Sequence, residues 1–250
     1  MKDFTQINIE PKIFKSNIPK IGLVALSTDF TVEQDFRRIC KNQNLNIYVN
    51  KIPFKNPLNH ENYLKMTNHL SDVVNNILPG EEVDTIAYAC TSGTVAIGDK
   101  IISEKIHSVK PKAYVSTPIT AAIKSFLKFN IKKIAVLTPY PKEVNKTIFN
   151  YLKKSNIDIV SFSSFNLNFD NDIANVDPNY LLSTIKKINY KEVDAIFVSC
   201  TALRAVEILN EAEAETSKII ISSNQALIWD SIRSVNIKDK IEGFGKLFLR

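Results

Sequence analysis

The sequence predicts an α/β protein built as two similar halves, each a parallel sheet flanked by helices. Three observations carry this. Short runs rich in Val, Ile and Leu alternate along the chain with stretches of helical periodicity. The apolar runs are nearly continuous, as strands buried on both faces require. One local pattern also occurs twice, about a domain's length apart. Asp84 opens DTIAYACT and Asp194 opens DAIFVSCT, both Asp-x-Ile-x-x-x-Cys-Thr.

The elements follow in order. KIGLVAL (20–26) reads as a buried strand, and TVEQDFRRICK (31–41) as a helix with Phe36, Ile39 and Cys40 on one face. LNIYVNKI (45–52) is a second strand. ENYLKMTNHLSDVVNNIL (61–78) is amphipathic and stops at Pro79-Gly80. VDTIAYAC (83–90) is a third strand, followed by a helix from about Thr94 to His107. KAYVST (112–117) is a fourth strand. The cycle then repeats. PITAAIKSFLKFN (118–130) is a helix with Pro in its first turn. The strands IKKIAVLTPY (131–140), IDIVSFSSF (157–165), VDAIFVSC (193–200) and KIIISS (218–223) alternate with helices over 143–156, 179–189 and 201–216. A last helix, QALIWDSIRSV, lies in the tail. No low-complexity linker divides the chain.

A chain of 250 residues suits one large domain or two smaller ones, and buries enough surface to need no staple. Its 44% hydrophobic and 23% charged residues are those of an ordinary globular protein. Three cysteines, an odd number in a long chain, argue against a disulfide framework and fit a reducing cytosol. No apolar run reaches bilayer length, and MKDFTQINIEPKIFK does not read as a signal peptide, so a cytoplasmic location is expected. The net charge of +6 is spread along the chain rather than gathered with aromatics on one face. That predicts no nucleic-acid partner, and no membrane partner is expected.

The repeated pattern carries the chemistry. Cys90 and Cys200 each end a buried strand with a helix starting within a few residues. Open parallel sheets bind ligands beyond the carboxyl ends of their strands. A helix N-terminus there offers free N–H groups and a partial positive charge, which lowers a thiol from about 8.5 towards neutrality. Two facing halves would put the sulfurs on opposite sides of one ligand. One thiolate could then remove a proton while the opposite thiol delivers one. The competing reading, two buried structural cysteines, is weakened by the matched Cys-Thr contexts. Cys40, on the apolar face of a helix, reads as packing.

The chain resembles the aspartate/glutamate racemase superfamily, and within it the branch of maleate cis-trans isomerase, arylmalonate decarboxylase and the ectoine-utilisation protein A. The resemblance rests on AYACTSGTVAIG (87–98), STPITAAI (116–123), IAVLTPYPKEVN (134–145), FVSCTALRAVEIL (197–209) and SSNQALIWDSIR (222–233), with IGLVALSTDFTVEQDFRR (21–38) and IPFKNPLNHENYLKM (52–66) in the same order. SCTALR and SNQALIW tilt it towards the ectoine-utilisation group.

The resemblance implies two flavodoxin-like domains related by a pseudo-twofold axis, with the active site in the cleft between them. Residues 1–115 plus 220–250 would form the first domain and 116–219 the second. It implies that Cys90 and Cys200 are the catalytic pair, acting on a small carboxylate without a cofactor, in a homodimer. The decarboxylase subgroup uses one cysteine, so two favour isomerisation or racemisation. Thr91, Ser92, Gly93 and Thr94 would cradle a carboxylate, or simply cap a helix. Tyr140 would hold the same carboxylate. Thr201 mirrors Thr91. Asp29 would orient a substrate amine and repel a second carboxylate, or else serve as an N-cap. Asn224 would contact the ligand or cap a helix. Arg204 would attract an anion or stay solvated. His60, His69 and His107 show no metal-ligand spacing, and no phosphate-binding glycine motif is present.

Overall fold

The computed structural model describes residues 5–188 and 190–250. The first four residues of the N-terminal stretch, and Asn189 at the end of the helix expected over 179–189, lie outside the described residues. All eight expected strands are present. In the first half, β1 (Lys20–Leu26), β2 (Asn46–Ile52), β3 (Thr85–Ala89) and β4 (Tyr114–Ser116) form a parallel sheet in the order β2-β1-β3-β4. In the second, β5 (Lys133–Thr138), β6 (Asp158–Ser164), β7 (Ala195–Val198) and β8 (Ile219–Ser222) repeat it as β6-β5-β7-β8. Both are flavodoxin-like orders with a switch point beside the first strand. The central strands β3 and β7 are buried throughout, whereas the edge strands β2 and β6 are half-buried.

The repeated Asp has a structural task. Asp84 Oδ2 accepts from the Lys20 N–H at 2.7 Å, at the start of β1. Asp194 Oδ2 accepts from the Lys132 and Lys133 N–H groups at 2.8 Å, at the start of β5. Each fixes the neighbouring strand's start, and so the height at which the cysteine emerges at the far end.

Helices cover both faces of each sheet. In chain order they are α1 (Val32–Ile39), α2 (His60–Lys65), α3 (Leu70–Asn75), α4 (Thr91–Ile97), α5 (Asp99–His107), α6 (Pro118–Lys128), α7 (Lys142–Lys154), α8 (Asp170–Ala174), α9 (Pro178–Lys187), α10 (Leu209–Thr216) and α11 (Ser223–Ser234). Three expectations change. The helix expected over 61–78 is α2 and α3 joined by a 3-10 turn at Met66–Asn68. There the Thr67 hydroxyl donates to the Leu64 carbonyl at 2.7 Å, a local bond that competes with helical pairing. The helix expected from Thr94 begins at Thr91 and breaks at Gly98, whose φ of 96° only glycine adopts readily. The helix expected from Thr201 is delayed. Residues 201–204 are irregular, a 3-10 turn covers Ala205–Ile208, and α10 follows. The short helix α8 was not foreseen.

The tail returns to the first half. α11 packs on β3 and α1, and runs along α6. Asp230 of α11, buried, accepts from Ser116 Oγ at 2.6 Å, Tyr114 at 3.0 Å and Lys124 Nζ at 3.1 Å. The start of α11 lies at the strand ends that carry the two cysteines, where Ser223 accepts from the Thr91 hydroxyl and the Cys200 N–H.

Candidate active site

Cys90 follows β3 and is the N-cap of α4, with its own sulfur as the capping acceptor. The Gly93 N–H donates to Sγ at 3.2 Å, and the Thr94 hydroxyl donates to the Cys90 carbonyl at 2.6 Å. Position 93 has room for glycine alone. A Cβ there would lie 2.7 Å from Cys90 Sγ and 3.0 Å from the Tyr88 hydroxyl. The Ser92 hydroxyl is 3.9 Å from Sγ.

Cys200 follows β7 in the equivalent place, but no helix starts there. A loop supplies the donors instead. The Ala202 N–H donates to Sγ at 3.3 Å, and the Tyr140 hydroxyl hydrogen-bonds the sulfur. The Cys200 N–H donates to Ser223 Oγ at 3.0 Å, and Ser223 also accepts from the Thr91 hydroxyl at 2.8 Å. One serine of α11 therefore couples the turn after Cys90 to the backbone of Cys200. Thr201 completes the clasp. Its carbonyl accepts from the Thr31 hydroxyl and from Asn224 Nδ2, the latter at 2.8 Å.

Both thiols are almost wholly buried, 2% exposed for Cys90 and 5% for Cys200. The expected depression of their pKa values is not what the structure shows. Loss of water raises Cys90 well above its ordinary range, and the Gly93 N–H offsets only part of this. Burial pushes Cys200 up to about 12 despite the help of Tyr140. Asp170 pushes both thiols further up, and Cys200 adds to the rise at Cys90. Both are therefore neutral thiols near neutral pH. Cys40 is buried without such donors and stands at about 12, consistent with packing.

The other expected residues divide. Tyr140 is buried at Cys200, and Ser92 lies at Cys90. The hydroxyls of Thr91 and Thr94 are engaged elsewhere in the protein, and the Ser92 hydroxyl is the one of that turn that meets the Cys90 sulfur. Asp29 is not the N-cap of α1, which is Thr31, but a loop residue just before it that binds the start of the helix with one oxygen. Oδ1 accepts from the Thr31 and Val32 N–H groups at 2.8 Å, while Oδ2 is buried without a partner. Asn224 does not cap α11. Ser222 and Gln225 do so as a capping box, and Asn224 bridges Thr201 and Asp35 while its Oδ1 has no partner. Arg204 lies at the mouth of the cleft and is paired with Glu207 at 2.9 Å, so it is not a free anion receptor.

Three residues escaped the sequence reading. Tyr63 of α2 is buried beside both cysteines. Ser223 opens the SNQALIW stretch and was passed over for Asn224. Asp170 opens α8, is 4% exposed, and is held up at about 6 by burial. An acidic first turn before Asp177-Pro178 was the signal that could have marked α8. Among the described residues no cluster of His, Cys, Asp and Glu could hold a metal ion. None of the described helices is long and apolar enough to cross a membrane.

Comparison with known proteins agrees with this fold. The maleate isomerase of Alcaligenes faecalis is 20% identical over 178 residues, 68% of this chain and 70% of that protein. The crystal structure of the maleate isomerase from Pseudomonas putida S16 superposes with a TM-score of 0.86 at 20% identity, covering 92% of this chain and 98% of that one. A mutant of the Nocardia farcinica maleate cis-trans isomerase, with a covalently bound succinylcysteine intermediate, gives a TM-score of 0.84 at 18% identity, covering 93% of this chain and 98% of that one. The arylmalonate decarboxylase family model matches residues 58–248, which include both cysteines, Tyr140 and α11, and the chain belongs to that family.

Proposed function

We propose that this protein is a cofactor-independent isomerase or racemase of a small carboxylate, with Cys90 and Cys200 as its acid/base pair. The observation that carries this is the pair of buried cysteines at equivalent strand ends of two matching half-sheets, coupled through Ser223 and Thr91. A substrate between them presents opposite faces of its reacting carbon to the two sulfurs. One sulfur, as thiolate, takes the proton from carbon. The electron pair moves onto the substrate carboxylate, and the opposite thiol returns a proton to the other face. The enzyme ends with thiol and thiolate exchanged, so the reverse direction is equally served.

Substrate binding has to offset the burial that keeps both thiols neutral. The Gly93 and Ala202 N–H groups and the Tyr140 hydroxyl already point at the sulfurs, ready to stabilise a thiolate once one forms. The Thr91 and Ser92 N–H groups at the start of α4, with the Ser92 hydroxyl, would receive the carboxylate as charge develops on it. Use in ectoine or hydroxyectoine breakdown, or in a related amino-acid pathway, is part of this reading and rests on SCTALR and SNQALIW. So does a cytoplasmic homodimer.

A second reading is a maleate-type cis-trans isomerisation, in which one cysteine adds to a double bond. The succinylcysteine adduct in the Nocardia farcinica relative favours it. The test is turnover of a carboxylate panel by wild type, Cys90→Ser and Cys200→Ser, with intact-mass analysis of each. Two-base chemistry predicts that each single variant loses at least about 10³-fold in kcat and carries no added mass. A stable substrate adduct on either variant would favour the addition mechanism instead.

A further inference from the structure

We propose that Asp35 is a positioning residue for Cys200, acting through Asn224 and the Thr201–Ala202 peptide to aim the N–H group that holds a thiolate there. This deepens the isomerase reading above, on which the role of a Cys200 thiolate rests.

The two halves create the need for such a device. Cys90 caps α4, so a helix start fixes its Gly93 donor. Cys200 is followed by the irregular residues 201–204, and its main-chain donor is the Ala202 N–H at 3.3 Å. Without a helix around it, the Thr201–Ala202 peptide needs another restraint to keep that N–H on the sulfur.

The restraint acts on the other side of the same peptide. A trans peptide is planar, with its carbonyl oxygen and the following N–H pointing in opposite directions. Fixing the Thr201 carbonyl therefore fixes the direction of the Ala202 N–H. That carbonyl accepts from the Thr31 hydroxyl and from Asn224 Nδ2, the latter at 2.8 Å. Two donors on one carbonyl also polarise the peptide and strengthen its N–H as a donor.

Asp35 selects which face of Asn224 does this. Nδ2 has two hydrogens, and both are used, one on Thr201 and one on Asp35 Oδ2 at 2.8 Å. Turned over, the amide would set its oxygen against two oxygen acceptors. Oδ1 of Asn224 is buried without a partner, so the amide is held from its nitrogen side. Asp35 is 4% exposed, a costly place for a carboxyl group that had no partner to hold.

The rest of α1 acts in the same sense. Thr31, at the N-cap, Asp35 and Arg38 follow one face of the helix. Arg38 lies 3.8 Å from Glu207, which is paired with Arg204 at 2.9 Å. One face of a first-half helix thus grips the loop after Cys200 and stands in for the helix start it lacks. The charged groups facing Asp35 are Arg38 on its own helix, Asp29 before it, and Arg204 and Glu207 across the loop. Those acting on Cys200 are Asp170 and Asp29, with Tyr140 hydrogen-bonded to the sulfur. The variants below leave all of these in place.

The test is alkylation by iodoacetamide between pH 8 and 10, read separately for Cys90 and Cys200 by peptide mass analysis. The proteins are wild type, Asp35→Ala, Asp35→Asn, Asn224→Ala and the double Ala variant, each checked by thermal melting. A weaker Ala202 donor leaves less thiolate at Cys200, so the Cys200 to Cys90 rate ratio should fall at least about fivefold in Asp35→Ala and in Asn224→Ala. The double variant should show no further fall, because both residues serve one link. Asp35→Asn keeps an oxygen acceptor and should restore most of the ratio. A smaller fall in Asn224→Ala overturns the relay even where Asp35→Ala does not fold. A ratio that rises overturns it too, since loosened packing exposes the thiol and speeds its alkylation. Alkylation needs no turnover, so these ratios decide the relay, whereas turnover in Cys90→Ser and Cys200→Ser decides the isomerase reading.

Discussion

Cys90, Gly93 and Asp170 show how single positions set the chemistry. Cys90 Sγ is held by the Gly93 N–H, and a methyl group at position 93 would come within 2.7 Å of it. Gly93→Ala should therefore displace the thiol, cutting kcat at least tenfold and lowering stability by about 1–3 kcal/mol through overpacking. Turnover and thermal melting together check this. The acids give a pH signature. Burial holds Asp170 at about 6 and Asp35 at about 7, against 3.8 unburied. The folded state thus binds these protons more tightly than the unfolded chain. Their contribution favours folding below pH 3.8 and is lost as pH rises through 6 and 7. Denaturant unfolding between pH 4 and 8 should show stability falling with pH. Asp170→Asn should remove about 2–3 kcal/mol of that fall, the part lying between pH 4 and 6.

At the scale of elements, α11 is the strut of the site. Its capping box, Ser222 with Gln225, sets the start, so that Ser223 and Asn224 point at the Cys200 loop. Ser223→Ala should leave the Cys200 N–H and the Thr91 hydroxyl unpaired in the interior. The expected cost is about 1–3 kcal/mol per buried orphan, with kcat reduced for both directions of the reaction. Equilibrium unfolding and forward and reverse rates measure the two effects. The strands were legible because buried parallel strands write themselves as apolar runs, and all eight were found. Helix starts were not. The Asp29 bonds to the first turn of α1 and the Thr67 bond at the 3-10 turn are local but follow no simple periodic pattern, and α10 starts late, after the irregular residues 201–204 and a 3-10 turn. The site divided along the same line. The cysteines were singled out by their repeated strand-end pattern, Tyr140 only by the resemblance. Asp170 and Tyr63 sit on short helices brought in from elsewhere in the chain, and were not. The direction of the thiol pKa values was misread because a helix terminus is local, whereas burial belongs to the whole fold.

At the scale of the molecule, the two halves share one topology yet treat their cysteines differently. Cys90 caps a helix with its sulfur, while Cys200 is held by a loop and Tyr140. The halves are tied by the Thr28–Asp170 bond, the Thr31–Thr201 clasp and the Asp230 network joining α11, β4 and α6. These ties join the segments that carry the two buried sulfurs, so in the proposed reaction catalysis by two opposed groups belongs to the assembled pair and to neither half alone. Deuterium content of the product, followed in D₂O within a single turnover, tests this most directly. Two opposed cysteines predict one deuterium on the inverted carbon of the product and none in unreacted substrate, with the signal abolished in both Cys90→Ser and Cys200→Ser. Product free of deuterium, or equal exchange in the two single variants, would contradict it.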